Sequence, residues 1–129
     1  MVRKANNRPY SPAHKLLLDY RLTKWRKSAL EVVQEANQGI LRAYSEQLCL
    51  TEELVASLRN NKRFGDKLYW IIYITYLSNR QPGDVEEILA EIAKNHEPIP
   101  RRTYFRLRAR AIEILDVRLN ELAAKNSKN

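Results

Sequence analysis

The chain has 129 residues, of which 44% are apolar, and its formal net charge is +8. This length suits one ordinary domain, or a compact domain with an appended helical arm, and it is too short for most two-domain enzymes. The positive charge favours a polyanionic partner. Nucleic acid is expected before a membrane surface, because no basic amphipathic stretch also has the broad apolar face of a membrane-surface helix.

Cysteine content and hydrophobic runs indicate the cytoplasm. Cys49 is the only cysteine, which excludes an intramolecular disulfide and a cysteine-based zinc site. Residues 1–30 contain no long apolar run followed by small residues, so no signal peptide is expected. The most apolar run, residues 68–77, is far shorter than the ~20 residues of a membrane span. We therefore expect a cytoplasmic protein with no membrane partner.

The first half of the chain predicts a basic arm over residues 1–12 and a helical region over residues 13–60. From Ala13 to about Tyr44 no proline interrupts the chain, and apolar or small residues alternate in steps of four and three: Leu18, Leu22, Trp25, Ala29, Val32, Ala36, Gly39 and Ala43. This heptad seam predicts one long helix, with a helical hairpin as the alternative for the N-terminal region. The seam is expected to pair either with another helix of the chain or with a second copy. A further helix is expected from an N-cap at Thr51 to about Arg59.

Residues 64–125 predict a second helical unit. After a connector over residues 60–66, with Asp66 as N-cap, the apolar run 68–77 has helical spacing and predicts the core helix of this unit. Asp84 and Glu87 form a capping-box pattern that begins a helix over residues 85–94. Pro98 and Pro100 then predict a turn over residues 95–99 and a last helix that continues to about Ala124.

The last helix begins with five arginines and no acid in residues 101–110. At 100° per residue, one face of this helix is apolar, and Arg102 and Arg106 lie opposite. The residues of the apolar face are Tyr104, Leu107, Ala111, Ile114, Leu115, Leu119 and Leu122. A short acidic helix, a tight turn and an arginine-rich amphipathic helix are the layout of a helix-turn-helix, whose second helix enters the DNA major groove. DNA binding is therefore the leading hypothesis.

The predicted DNA interface comprises Arg101, Arg102, Thr103, Phe105, Arg106, Arg108 and Arg110. Arg102 and Arg106 are assigned to base edges, because an arginine there can donate two hydrogen bonds to guanine. The remaining arginines and Thr103 are assigned to phosphates. Phe105 either contacts a thymine methyl or packs against the N-terminal helices. Tyr104 is expected in the core, with its hydroxyl able to reach a phosphate.

Residues 64–122 resemble the ArpU-like regulators of phages and prophages of Gram-positive bacteria. The resemblance rests on Ile-Pro-Arg-Arg-Thr-Tyr-Phe-Arg-Leu-Arg-Ala-Arg-Ala-Ile-Glu-Ile-Leu, which follows Tyr76-Leu77 and an acidic helix. It implies an all-α fold with a helix-turn-helix similar to region four of bacterial sigma factors. It also implies sequence-specific binding to double-stranded DNA and activation of late phage genes at the nucleoid. RNA polymerase and a second copy of the chain are candidate partners.

Enzymatic chemistry has little support. Neither His14 nor His96 has the spacing of a metal ligand or of a nucleophile's base, and the three glycines form no phosphate loop, so we expect no enzyme, no cofactor and no metal. Two alternatives to a regulator stay open. One is a phage DNA-packaging subunit of the small-terminase kind, with a similar helix-turn-helix in a ring. The other is a non-enzymatic helical interaction protein whose basic surface meets acidic protein or RNA.

Overall fold

The computed structural model describes residues 10–33 and 37–127, and the side chains up to residue 125. The described residues form helices and no strand, which confirms the all-α prediction. Helix α1 is Pro12–Glu31, and α2 is Gln38–Ala56 with a 3₁₀ turn at Ser57–Asn60. Helix α3 is Gly65–Ile72 with a π-helical turn at Tyr73–Leu77, α4 is Val85–Asn95 and α5 is Arg101–Ser127. Most of the predicted arm lies outside the described residues.

The N-terminal half is a hairpin of two helices. Helix α1 ends at Glu31, and α2 begins after Asn37, whose Oδ1 accepts the Ile40 amide at 3.1 Å. The predicted continuous helix from Ala13 to Tyr44 is therefore wrong. Asparagine is a favoured N-cap, and this local start signal outweighs the heptad spacing that runs across it. The seam position Ala36 lies outside the described residues.

Helix α1 packs through the face opposite to the predicted seam. Its buried residues are Ala13, Leu17, Tyr20 and Thr23. The Tyr20 hydroxyl donates to Glu52 at 2.5 Å, so this face joins α1 to α2. By contrast, the seam residues on α1 are exposed: Leu18 by 45%, Leu22 by 46% and Trp25 by 67%. Pairing of this part of the seam with another helix of the same chain is therefore wrong for the residues described.

Two predicted helix starts are also wrong. Thr51 is buried inside α2, where its hydroxyl donates to the Gln47 carbonyl at 2.9 Å. Asp66 lies in the first turn of α3, which begins one residue earlier, after Phe64 in a left-handed conformation with φ 59°. At Gly65 the backbone passes so close to the 3₁₀ turn that a Cβ would lie 2.9 Å from the Arg59 carbonyl oxygen. This close approach fixes the start of α3.

One core joins the two halves of the chain. Its most buried side chains come from α2, the 3₁₀ turn, α3 and α5: Val55, Leu58, Leu68, Ile72, Tyr104, Ala111 and Leu115. The apolar run 68–77 is helical and largely buried, as predicted, and its last five residues form the π-helical turn. The two predicted units at residues 13–60 and 64–125 thus pack around a common core.

Two long-range polar contacts fix α1 on this core. Arg21 donates to the carbonyl oxygens of Ser78 at 3.0 Å and Thr75 at 3.1 Å, which satisfies the carbonyl end of the π-helical turn. At the other end of α1, Asp116 of α5 accepts the Ala13 amide at 2.9 Å. A carboxylate beside a helix N-terminus interacts favourably with the helix dipole. Helices α1 and α5 are therefore held in a defined relation.

Candidate nucleic-acid interface

Helix α4 begins at the cap that the sequence predicts. The Asp84 carboxylate accepts the Glu87 amide at 2.9 Å, and the Glu87 carboxylate accepts the Gly83 amide at 2.8 Å. Ile88 and Ile92 are the buried residues of this helix. The predicted helix over residues 85–94 is confirmed, with Asn95 as its last residue. Glu87, an acid of the first turn, is thereby held against the residues that precede α4.

Residues 96–100 connect α4 to α5. The His96 ring lies against Trp70 of α3 with a centroid distance of 4.7 Å, and the Glu97 carboxylate lies 3.9 Å from Lys67 Nζ. At the start of α5, the Arg101 guanidinium forms an ion pair with Glu86 of α4. The connection and the first residue of α5 are thus in contact with both preceding helices, which orients the N-terminal end of α5.

The apolar face of α5 is buried as predicted. Tyr104, Leu107, Ala111 and Leu115 are buried, and Ile114 and Leu119 are partly so. The Tyr104 hydroxyl shares a hydrogen bond of 2.9 Å with the Thr75 hydroxyl. Because Tyr104 is fully buried, the prediction that its hydroxyl could reach a phosphate is wrong. Leu122, predicted on the same face, is 41% exposed because α5 extends beyond the core at this end.

Three predicted interface residues form a row on the outward side of α5. Arg102, Arg106 and Arg110 are exposed, and their spacing of four residues places them on successive turns of one side. We call them the outward arginine row. None of the three forms an ion pair or a hydrogen bond with any residue that the structure describes. Eight residues of helix make the row about 12 Å long. The row is therefore a set of guanidinium groups with no described protein partner.

The other four predicted residues are not part of this row. Arg101 is in its ion pair with Glu86, and Thr103 is half-buried. The Phe105 ring packs against the core, with the guanidinium carbons of Arg101 and Arg108 at 5.4 and 5.1 Å from its centre. Arg108 is half-buried and also lies over the Tyr104 ring at 5.6 Å. Packing is thus the favoured alternative for Phe105, and contact with a thymine methyl stays a prediction.

A second basic cluster lies beside the connection, in a segment that the sequence predicts only as a connector. Phe64 is 52% exposed, and the cations of Arg63 and Lys67 lie 5.7 and 5.8 Å from its ring centre. Lys67 also contacts Glu97, so the cluster is close to the start of α5. Basic residues around an exposed aromatic ring can contact phosphates and stack on bases. The Lys-Arg-Phe sequence at residues 62–64 was the available signal.

Cys49 and His14, two residues of types that can support catalysis, each have a hydrogen-bond partner within the protein. The Cys49 thiol donates to Glu53 at 3.1 Å, and this bond to a carboxylate raises the pKa of Cys49, whereas a nucleophilic thiol needs a lowered pKa. His14 Nε2 lies 3.2 Å from the Tyr76 hydroxyl, and burial, followed by the nearby charge of Arg108, lowers the pKa of His14. In the described ranges, histidine, cysteine and carboxylate side chains form no group of three or more that could hold a metal ion.

A cleft of about 640 Å³ opens between the π-helical turn and α4. Its walls carry aromatic rings, both signs of charge and polar groups, from Trp70, Tyr73, Arg80, Glu87, Glu91, Lys94 and His96 among others. Because the acids and bases of this cleft are interleaved, it has no single sign of charge. The outward arginine row, in contrast, presents one sign only. The outward arginine row is therefore better suited than the cleft to bind a partner of one sign of charge.

Among the helices described, none is both long and apolar enough to cross a membrane. Comparison with known proteins adds no assignment, because no family model, no curated protein and no solved structure matches the chain. The function is therefore inferred from the site itself.

Proposed function

We propose that the chain is a sequence-specific regulator of transcription that binds double-stranded DNA and enters the major groove with α5. The observation that carries the proposal is the outward arginine row. Arg102, Arg106 and Arg110 are exposed, lie on one side of α5, and have no described intramolecular partner. The first residue of the same helix, Arg101, is paired with Glu86 of α4. A polyanion is the partner that such a row fits.

The energetics of the row support a bound anion. Like charges at a spacing of four residues destabilise a helix by a few tenths of a kcal/mol per pair. The nearest acid on this side is Glu113, beyond the far end of the row, so no acid is interleaved between the arginines. Phosphates or guanine edges would replace this mutual repulsion by charge-assisted hydrogen bonds. A bound anion would therefore stabilise the outward arginine row more than the described contacts within the protein do.

The dimensions of the row suit the major groove of B-DNA. The groove is about 12 Å wide and admits a single α-helix. Along the groove, the row's length of about 12 Å passes about three to four base pairs, which are about 3.4 Å apart. Arg102 and Arg106, nearer the N-terminus, are the residues proposed to donate to guanine O6 and N7. Arg110 is proposed to contact the phosphate backbone.

Phosphate contacts would also come from residues around the connection. The first-turn amides of α5 are free of intrahelical partners, as at any helix start, and they can donate to a phosphate together with Thr103. Arg63 of the second basic cluster adds a cation near Phe64 on the α3 side of the connection. Such contacts position a protein on the duplex without reading sequence. The proposed interface therefore extends from α5 to the start of α3.

Within this function we propose a regulator of the ArpU-like kind, acting on late genes of a phage or prophage and resembling region four of sigma factors. The support is the resemblance of residues 64–122, together with the order of α4, a short connection and an arginine-rich α5. RNA polymerase is a candidate partner of such a regulator. A DNA-packaging subunit would use the same helix but would assemble into a ring, so the mass of the assembly separates the two.

Selection of bound duplexes from a random DNA pool tests the proposal. The selected duplex and a scrambled duplex are then titrated at two salt concentrations. We expect a recurring motif that binds far more tightly than its scrambled control, because base contacts add to the phosphate contacts. Binding with no recurring motif, lost steeply as salt rises, would show contacts to phosphates alone and would refute sequence-specific recognition.

A further inference from the structure

Helix α1 carries an apolar strip on its outward face. Leu18, Leu22, Trp25 and Ala29 continue the heptad spacing, and all four are exposed on the side opposite to the face that packs on the core. We call these residues the α1 strip. Exposed leucines occur singly on most proteins, but a contiguous row that includes a 67% exposed tryptophan is typical of an interaction surface.

A groove of about 510 Å³ runs beside the α1 strip. Leu18 and Leu22 form one wall, and Pro82, Val85 and Ile88 form the other, with Tyr76 among the lining residues. The strip adjoins these apolar walls, and Arg21, Thr75, Gln81 and Asp84 add polar groups to the same groove. A helix with a bulky apolar side chain would fill this surface better than a flat partner. Heptad spacing is the pattern by which helices pair with each other.

We propose that the α1 strip pairs antiparallel with the α1 strip of a second copy of this chain. About a two-fold axis, Leu22 of one copy faces Trp25 of the other, and Leu18 faces Ala29. This arrangement seats each large indole across from a leucine and next to the groove of the opposite copy. A two-fold interface uses the same patch on both copies, so one strip is sufficient to form it.

The charges beside the strip select this orientation. In the antiparallel arrangement Asp19 comes beside Arg26 of the second copy, and the pair occurs twice. A parallel arrangement would instead bring Arg21 beside Arg26, two like charges at the positions that set orientation in paired helices. Arg21 is already held by the carbonyls of Thr75 and Ser78. The antiparallel pair is therefore the one with complementary charge.

The proposal is independent of the proposed DNA contact, because the α1 strip and the outward arginine row lie on different helices. Sedimentation analysis of the full chain across a wide concentration range measures the dimer. We expect a reversible dimer, whose dissociation constant rises about thirtyfold or more with Leu22→Glu, since each copy contributes the residue to the interface. Val117→Glu is the matched control, because Val117 is a 57% exposed apolar residue on α5.

Three outcomes overturn the proposal. The first is a monomer at every concentration. The second is a dimer that Leu22→Glu and Val117→Glu leave equally intact. Circular dichroism and a urea midpoint confirm that both variants fold, as expected from their exposed positions. A larger closed ring, unaffected by Leu22→Glu, also overturns the proposal and favours the packaging alternative.

Exchange of the two charges tests the antiparallel orientation. Asp19→Arg alone and Arg26→Asp alone each place like charges together twice, and we expect each to weaken the dimer about three- to tenfold. The double variant restores opposite charges and should recover the dimer. The two positions are about 10 Å apart on one helix, so recovery requires contact between copies. Failure of the double variant to recover would refute this arrangement.

Discussion

Replacing Arg106 by alanine separates sequence recognition from general attraction to DNA. The Arg106 side chain is exposed and has no hydrogen bond or ion pair with the residues described. A surface substitution of this kind changes the free energy of unfolding by no more than about 0.5 kcal/mol. Alanine also has the highest helix propensity, so α5 should remain intact. Any large effect on DNA binding therefore reports the contact itself.

The expected loss on the selected duplex follows from the proposed contact. A bidentate arginine–guanine pair discriminates by about 1–3 kcal/mol, which corresponds to a loss of about 5- to 150-fold in affinity. On a scrambled duplex the variant loses only the contribution of one positive charge. The ratio of specific to non-specific affinity should therefore fall.

Fluorescence anisotropy titrations of both duplexes at one salt concentration measure this ratio. Arg42→Ala is the matched control, because Arg42 is an exposed arginine on α2 and lies outside the proposed interface. It should leave the ratio unchanged. Equal losses on the two duplexes for Arg106→Ala would refute a role in reading bases and would reassign Arg106 to the phosphate backbone.

Three further predictions concern the scaffold that presents α5. Arg21→Ala should lower the free energy of unfolding by about 2–3 kcal/mol in urea titrations, because charged hydrogen bonds to Thr75 and Ser78 are lost. Lys24→Ala is the control and should lower it far less, because it removes one exposed hydrogen bond to Asn79. Tyr104→Phe should cost about 1–2 kcal/mol, and adding Thr75→Val should recover part of that loss, whereas additive losses would contradict a shared hydrogen bond. Burial lowers the pKa of His14 below its ordinary 6.5, so the unfolded chain binds this proton more readily. The contribution of neutral His14 to the free energy of unfolding is present above pH 6.5 and is lost as pH falls towards the lowered pKa. In the His14→Gln variant, the urea midpoint should therefore change less with pH over that range.

Local signals predicted the elements around α5 well. Asp84 and Glu87 determine the start of α4 through contacts within four residues, so the sequence alone was sufficient. The arginine row follows from helical spacing, since residues at steps of four share one side of any helix. What the sequence could not give is which arginines lack a partner. The ion pair of Arg101 with Glu86 joins residues fifteen positions apart and exists only once the fold has brought α4 close to the start of α5.

The error in the N-terminal half has a definite physical origin. Heptad spacing identifies an apolar side of a helix, but it does not say whether that side faces the protein or solvent. On α1 the buried face uses Tyr20 and Thr23, whose polar groups bond to α2, while the more apolar strip remains outside. Likewise, Thr51 has the chemistry of an N-cap, but its burial against the core and its bond to Gln47 keep it inside α2.

DNA binding through α5 and two-fold pairing of the α1 strips together predict the symmetry of the DNA site. The bond from Ala13 to Asp116 and the contacts of Arg21 hold α1 in a fixed relation to α5. A two-fold axis between two α1 helices therefore also relates two α5 helices, and the selected motif should be an inverted repeat. Leu22→Glu should then bind a single half-site as the native chain does and lose the advantage of the second half-site. A motif without symmetry, bound with unchanged affinity by Leu22→Glu, would mean that the dimer and the DNA contact act separately.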